Sequence, residues 1–227
     1  MATADLPRRA AAEGFGTLLL VAAVIGSGVM AERLGAPPPL ALLANTLATG
    51  AVLVALIAAF GPVSGAHFNP AVTLAVAWLG RARWREVPPL VAAQVAGAFA
   101  GAATAHAMFG LPVFSASQHA RCGASQCLAE FVATTGLLAV VVGSSARAAP
   151  FAVAGWIVAA YWFTASTSFA NPAVTLARAA SDTFAGIRPA DAPAFVGCQL
   201  LGAFAGASLS RWLRPPAPAG EVRRCGP

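Results

Sequence analysis

Two identical triplets stand out in this chain, Asn69-Pro70-Ala71 and Asn171-Pro172-Ala173. Asparagine is a preferred helix N-cap. Proline is favoured at the first helical position, where its missing N–H would go unpaired in any case. Each triplet therefore predicts a helix start. If Oδ1 caps its own helix, the amide NH2 of each asparagine is left to point away from it as a donor. Each helix N-terminus carries roughly +0.5 charge. Two such starts meeting head to head would repel cations and offer two amide donors to a passing oxygen. That chemistry selects a solute rather than breaking a bond. No nucleophile, base and orienting group recur together in the loops, so no enzyme is expected.

The elements behind these starts are short. The apolar runs Asn69 to Leu79 and Asn171 to Asp182 are about ten residues each, or about 15 Å of helix. That is half of the ~30 Å hydrocarbon core of a bilayer. Six longer apolar runs surround them: Ala10 to Ala31, Pro38 to Phe60, Val87 to Gly110, Gln126 to Ala146, Pro150 to Phe169 and Ala192 to Leu213. Of the 227 residues 58% are hydrophobic and 10% charged, against about 25% charged in a soluble domain. The deficit places most of the surface against lipid. Gly and Pro sit inside the apolar runs, which membrane helices tolerate. The first run follows Arg8 and Arg9 like a signal peptide, but at about 20 residues it is long enough to span.

The net charge is +6, and all 14 basic residues are arginine. They are scattered at the ends of apolar runs, without the basic and aromatic density of a nucleic-acid surface. With both termini cytoplasmic, Arg8, Arg9, Arg81, Arg83, Arg85, Arg147, Arg211, Arg214, Arg223 and Arg224 lie inside. Arg33, Arg121, Arg178 and Arg188 lie outside, an asymmetry that fits the positive-inside rule. Trp84 and Trp212 fall near the cytoplasmic interface.

The chain repeats itself. Asn69-Pro70-Ala71-Val72-Thr73-Leu74-Ala75 returns from Asn171 to Ala177. Gln94 followed by Gly97 to Ala102 returns as Gln199 followed by Gly202 to Ala207. Ala12-Glu13 returns as Ala129-Glu130. Three spans per half reverse the direction of entry, so the halves are inverted, and inverted repeats place their site between them near the midplane. The boundaries read as an N-terminal segment 1–9, a first repeat 10–110, an outer loop 111–125, a second repeat 126–213 and a tail 214–227.

On these residues the chain resembles the aquaporin, or major intrinsic protein, superfamily from about Ala10 to Leu213. The resemblance implies an all-α membrane protein of six transmembrane helices and two re-entrant half-helices. It further implies a homotetramer with a pore in every protomer, in contact with membrane lipid, that passes water and small neutral solutes passively, with no cofactor and no metal. The family's outer constriction transfers, by counting from the triplets, to Thr49, Ala159, Ser168 and Val174. The last position looks like a fixed Arg in ordinary water channels and glycerol facilitators. Here it is Val174, and the partners are small. A wide, neutral, partly apolar filter is expected, admitting glycerol, urea or neutral metalloids such as arsenite. The stretch from Asn171 to Arg178 also resembles an arginine-free bacterial branch associated with arsenic resistance, which implies an inner-membrane location. Arg178, about a turn farther out, is a candidate to restore part of the missing charge. A secondary transporter, a strict water channel and a junctional protein are the competing readings.

Glu13 and Glu130 are ionisable groups inside apolar spans and are expected to face the bundle interior. The resemblance implies that they accept hydrogen bonds from the re-entrant loops. Gln94 and Gln199 open the Gly-x-x-x-Gly stretches, which read as close helix packing. His67 is expected to line the cytoplasmic vestibule, and His106 to fill the interior. Cys122 and Cys127, beside His119, leave three readings open: a disulfide, a thiophilic site, or free thiols. Cys198 reads as packing, and Cys225 lies in the tail.

Overall fold

The computed structural model describes residues 4–214. The last part of the tail, with Arg223, Arg224 and Cys225, lies outside the described residues. Eight α-helices follow in order: α1 Leu6–Arg33, α2 Pro38–Ser64, α3 Pro70–Trp78, α4 Val87–Met108, α5 Ala124–Gly143, α6 Ala149–Phe163, α7 Pro172–Ala179 and α8 Ala192–Leu213. Five of them are 20 or more residues long and apolar enough to cross a membrane. The chain is an all-helical integral membrane protein.

Two side-chain links fix the direction of the helices. Arg9 pairs with Glu86 at 2.8 Å, joining the starts of α1 and α4. Arg33 donates to the Phe109 carbonyl, joining their ends. The two helices are therefore parallel and run from the N-terminal face to the far face. In the second half Arg214 donates to the Val142 carbonyl at 2.9 Å, which sets the ends of α5 and α8 side by side on the N-terminal face.

These parallel pairs form where glycine removes the side chain. A Cβ on Gly97 would strike the backbone of Gly14, and one on Gly101 the Leu18 carbonyl oxygen. In the other half a Cβ on Gly202 would meet the Phe131 carbonyl, and one on Gly206 the Thr135 carbonyl. Lipid offers no hydrophobic drive between helices, so close backbone approach supplies the attraction.

One span differs from its expected length. The run from Pro150 to Phe169 is helical only from Ala149 to Phe163. Thr164 is already extended, with its Oγ1 returned to the Ala160 carbonyl at 2.6 Å. The chain beyond it turns inward toward α7 as an irregular loop, because its N–H groups are needed there rather than in a helix. On the far face the loop after α4 seals the C-terminus of α7: Ser117 and Ser115 N–H groups donate to the Ala179 and Ala180 carbonyls at 3.1 Å. Beside it Arg188 bonds Asp191 at 2.9 Å. That bond, with a second from the Arg121 backbone N–H, holds the Asp191 carboxyl below the ordinary carboxylate range.

Gly101→Leu or Gly206→Leu is expected to abolish the folded state, since a side chain there meets backbone rather than a movable group. Gly155→Leu, which opens onto empty space, is the control. Size-exclusion profiles and thermal unfolding in detergent check this. A monodisperse, wild-type-like Gly101→Leu protein would contradict the packing.

Candidate functional site

The two half-helices meet at their N-termini. Asn69 Oδ1 accepts from the Ala71 N–H at 2.9 Å, and Asn171 Oδ1 from the Ala173 and Val174 N–H groups at 3.1 and 3.3 Å. Pro70 and Pro172 occupy the first turn. The amide nitrogens are not left wholly free. Asn69 Nδ2 donates to the Ala170 carbonyl at 2.7 Å, and Asn171 Nδ2 to the Phe68 carbonyl at 2.8 Å. Each asparagine is thus held by its own helix and by the opposite loop. An amide NH2 carries two hydrogens, so one N–H of each remains for the lumen.

The loops before the triplets are irregular backbone at membrane depth. Ala66, Phe68, Thr167, Ser168 and Ala170 all have φ between 47° and 60°, a conformation that costs a non-glycine residue roughly 1–2 kcal/mol. Two buried carboxylates hold it in place. Glu13 Oε1 accepts from the His67 N–H at 2.9 Å and Ser64 Oγ at 2.6 Å. Its Oε2 accepts from the Phe68 N–H at 2.6 Å. Glu130 accepts from the Phe169 and Ala170 N–H groups at 2.9 and 2.8 Å.

The glutamines do more than open the packing stretches. Gln94 Nε2 donates both to Glu13 and to Thr73 Oγ1 at 2.8 Å. Gln199 Nε2 donates to Glu130 at 2.6 Å and to Thr175 Oγ1 at 2.8 Å. Each glutamine ties a carboxylate to the first turns of a half-helix. The matching positions of Thr73 and Thr175 in the repeat carried this signal, which spacing alone did not reveal as a brace.

A cavity of about 350 Å³ runs past both asparagines, from Ser144 and Ala146 at one end to Thr49 and Arg178 at the other. Toward the N-terminal face it is lined by His67, Ser144 and Ala146. His67 Nδ1 lies 3.1 Å from Thr73 Oγ1. Toward the far face Thr49, Ser168 and Val174 line it. Ala159 does not: it is exposed on the outside of α6. Its place is taken by Tyr161, one of the series Val153, Ile157 and Tyr161 that turns one side of α6 to the cavity. The Tyr161 hydroxyl lies 3.3 Å from Thr49 Oγ1.

The far end is not neutral either. Arg178 lines it, is 2% exposed, and donates through Nε to the Ala185 carbonyl. Its guanidinium carbon stands 3.3 Å from the centre of the Phe169 ring, and that of Arg121 stands 5.0 Å from the same ring. Arg178, the candidate to restore part of the missing charge, thus lies at this end of the cavity, about a turn beyond Val174.

Other sequence candidates lie apart. His106 is buried between the Val113 carbonyl at 2.6 Å and Ser181 Oγ at 2.8 Å, where it ties the end of α4 to the segment after α7. Cys122, Cys127 and Cys198 are free thiols, with Cys122 exposed in the outer loop and Cys127 in the first turn of α5. Among the described residues no group of three His, Cys, Asp or Glu is placed to hold a metal ion.

Half-helices meeting end to end, a cavity past both asparagines and buried carboxylates spent on loop backbone define a transmembrane channel. The family model described as major intrinsic protein matches residues 1–151. The aquaglyceroporin AqpS of Rhizobium meliloti (strain 1021) is 56% identical over 216 residues, covering 94% of this chain and 93% of that one. Aquaporin NIP1-4 of Oryza sativa subsp. japonica is 33% identical, covering 88% and 73%. The structure of the aquaglyceroporin from Plasmodium falciparum matches with a TM-score of 0.68 at 20% identity, covering 92% and 95%. The chain belongs to the major intrinsic protein family and is a channel, not an enzyme.

Glu130→Ala is expected to destabilise the protein strongly. It removes the acceptor of two loop N–H groups, at about 1–3 kcal/mol for each buried donor left unsatisfied. Glu130→Gln, which keeps one acceptor oxygen, should cost less. Thermal unfolding of the two variants against wild type decides it, and equal stabilities would remove Glu130 from its bracing role.

Proposed function

We propose that this chain is a passive channel for water and small uncharged solutes of glycerol or urea size, including neutral metalloid hydroxides such as arsenite. The observation that carries the reading is the far end of the cavity. Thr49, Tyr161, Ser168 and Val174 surround it, and position 174 brings in no guanidinium. An arginine at that point would place fixed charge and donors in the narrowest part of the pore. With Val174 there, the lumen keeps room for a solute bearing three hydroxyls. The name and high identity of the Rhizobium meliloti relative support the same solute class.

The solute passes His67 and then Asn69 and Asn171. There the two remaining amide N–H groups donate to its oxygens in turn, in the positive field of two helix N-termini. Glu13 and Glu130 are spent on loop amides, so the midplane holds no carboxylate free to couple transport to a cation. The pore asparagines, the four surrounding side chains and the His67 vestibule are the working residues of this proposal. We place both termini in the cytoplasm, the far face outside, the protein in a bacterial inner membrane, and four copies in the assembly.

Two variants separate size from backbone integrity. Val174→Arg should cut glycerol and arsenite flux by roughly tenfold, equivalent to about 1.4 kcal/mol on the barrier, while water flux persists. Ala159→Phe, on the outside of α6, should leave the glycerol-to-water ratio as it was, whereas Tyr161→Ala should raise it. Stopped-flow swelling of proteoliposomes matched for protein content measures all three. An unchanged ratio in Val174→Arg would remove Val174 from the constriction.

Asn69→Asp and Asn171→Asp address the midplane. Each exchanges a donor for an acceptor-only carboxylate and forfeits the crosswise bond to Ala170 or Phe68. Neutral solute flux should fall in both. Wild-type glycerol flux through a folded Asn171→Asp protein would mean that solutes cross elsewhere.

A further inference from the structure

The far end of the cavity carries a buried positive charge that the protein does not neutralise. The ion pairs among the described residues join Arg8 to Asp5, Arg9 to Glu86 and Arg188 to Asp191. Neither Arg178 nor Arg121 takes part. Burying a guanidinium without an opposite charge is expensive, and the stacking on Phe169 offsets only part of that cost, typically about 2 kcal/mol when desolvated.

The hydrogen bonds of the two arginines differ. Arg121 is largely spent, with Nε on the Gly186 carbonyl at 2.8 Å and Nη1 on the Ser166 carbonyl at 3.3 Å. Arg178 is bonded only through Nε. Its two terminal nitrogens have no partner among the described residues, yet they are not sealed in by protein, and the residue lines the cavity. The ring of Phe169 fixes the plane of the guanidinium. The chain neighbour of Phe169 is Ser168, which is 2% exposed and lines the same cavity. Its Oγ also lacks a partner, but it is closed off from the lumen by the surrounding protein. A preoriented fork with two free donors and an excess of positive charge lie together at one end of the pore.

We propose that Arg178 forms a binding site for a small planar oxyanion at the far mouth of the pore. The guanidinium fork matches such an anion edge on, through two parallel N–H···O bonds. Arg121, beside the same ring, adds to the attraction without touching the ligand. An anion seated there stands in the path of neutral solutes, so occupancy from the far side slows their flux. Val174 leaves the space that this ligand needs, and the cation lies far enough out to hold an oxyanion without narrowing the lumen itself.

The test uses nitrate as the probe and gluconate, too bulky for the pore, as the reference anion. The first measurement is calorimetric titration of nitrate into the full-length protein in detergent. It is independent of transport and so of the function proposed above. The expected result is saturable binding at one site per chain. Arg178→Gln should weaken it by about tenfold or more, as loss of a charged hydrogen-bonding partner implies. Arg178→Lys keeps the charge but loses the fork, and it carries the test if the Gln variant does not fold: nitrate should bind it clearly more weakly than wild type. The second measurement is glycerol swelling of proteoliposomes, which should slow as nitrate replaces gluconate on the far side and not when it does so on the N-terminal side. Absence of nitrate binding to wild type overturns the proposal, as does wild-type affinity in Arg178→Gln or Arg178→Lys. Binding at Arg178 without any slowing of glycerol overturns the placement of the anion in the solute path.

Discussion

Backbone that is not helical survives at the midplane of a bilayer only if its polar groups find partners inside the protein. This chain puts two such stretches there, and two carboxylates meet the requirement. Glu13 and Glu130 each gather successive loop N–H groups, and Gln94 and Gln199 fasten each carboxylate to a half-helix through Thr73 and Thr175. Five left-handed residues in the loops would relax without this hold. The positions of the asparagine amides, the direction of the half-helices and the course of the cavity all follow from it.

Much of this was legible in the sequence, because the strongest signals were local. The Asn-Pro pair specifies a cap and a first turn, and the repeat doubles each motif. Glycine spacing announced close packing by α4 and α8, and the structure supplies their partners, α1 and α5. The filter candidate that does not line the cavity, Ala159, came from counting backward from Asn171 through a loop. Such a count fails when the loop and helix divide the residues differently. Here α6 stops at Phe163, which brings Tyr161 rather than Ala159 to the lumen. The helix sequence itself could not correct the register. The stretch APFAVAGWIVAAYWF is apolar on every side, so it has no polar stripe to mark the face toward the pore. Arg121 was similarly unreadable, since it reaches Phe169 from a distant loop.

In the proposed channel, size and charge are handled by different residues at the far mouth. A single arginine at position 174 would impose both at one level. Val174 leaves the lumen open, and Arg178, a turn away on the same face of α7, supplies the charge. Its guanidinium is held aside by Phe169 and the Ala185 carbonyl. Steric selection and electrostatic selection then become independent variables. Either can change by substitution without disturbing the other, which suits a pore for bulkier solutes that must still refuse cations.

The crosswise bonds from Asn69 to Ala170 and from Asn171 to Phe68 bear on how the chain is assembled during synthesis. When the first half has entered the membrane, the acceptor for Asn69 lies about a hundred residues downstream and has not yet been made. The first loop must wait, with one amide unsatisfied and its left-handed turns incompletely held, until α7 follows from the ribosome. The last turn of construction closes both bonds together. The two halves therefore mature as one unit, and a chain interrupted between α4 and α7 leaves a half-built pore mouth in the bilayer, a natural target for quality-control proteases.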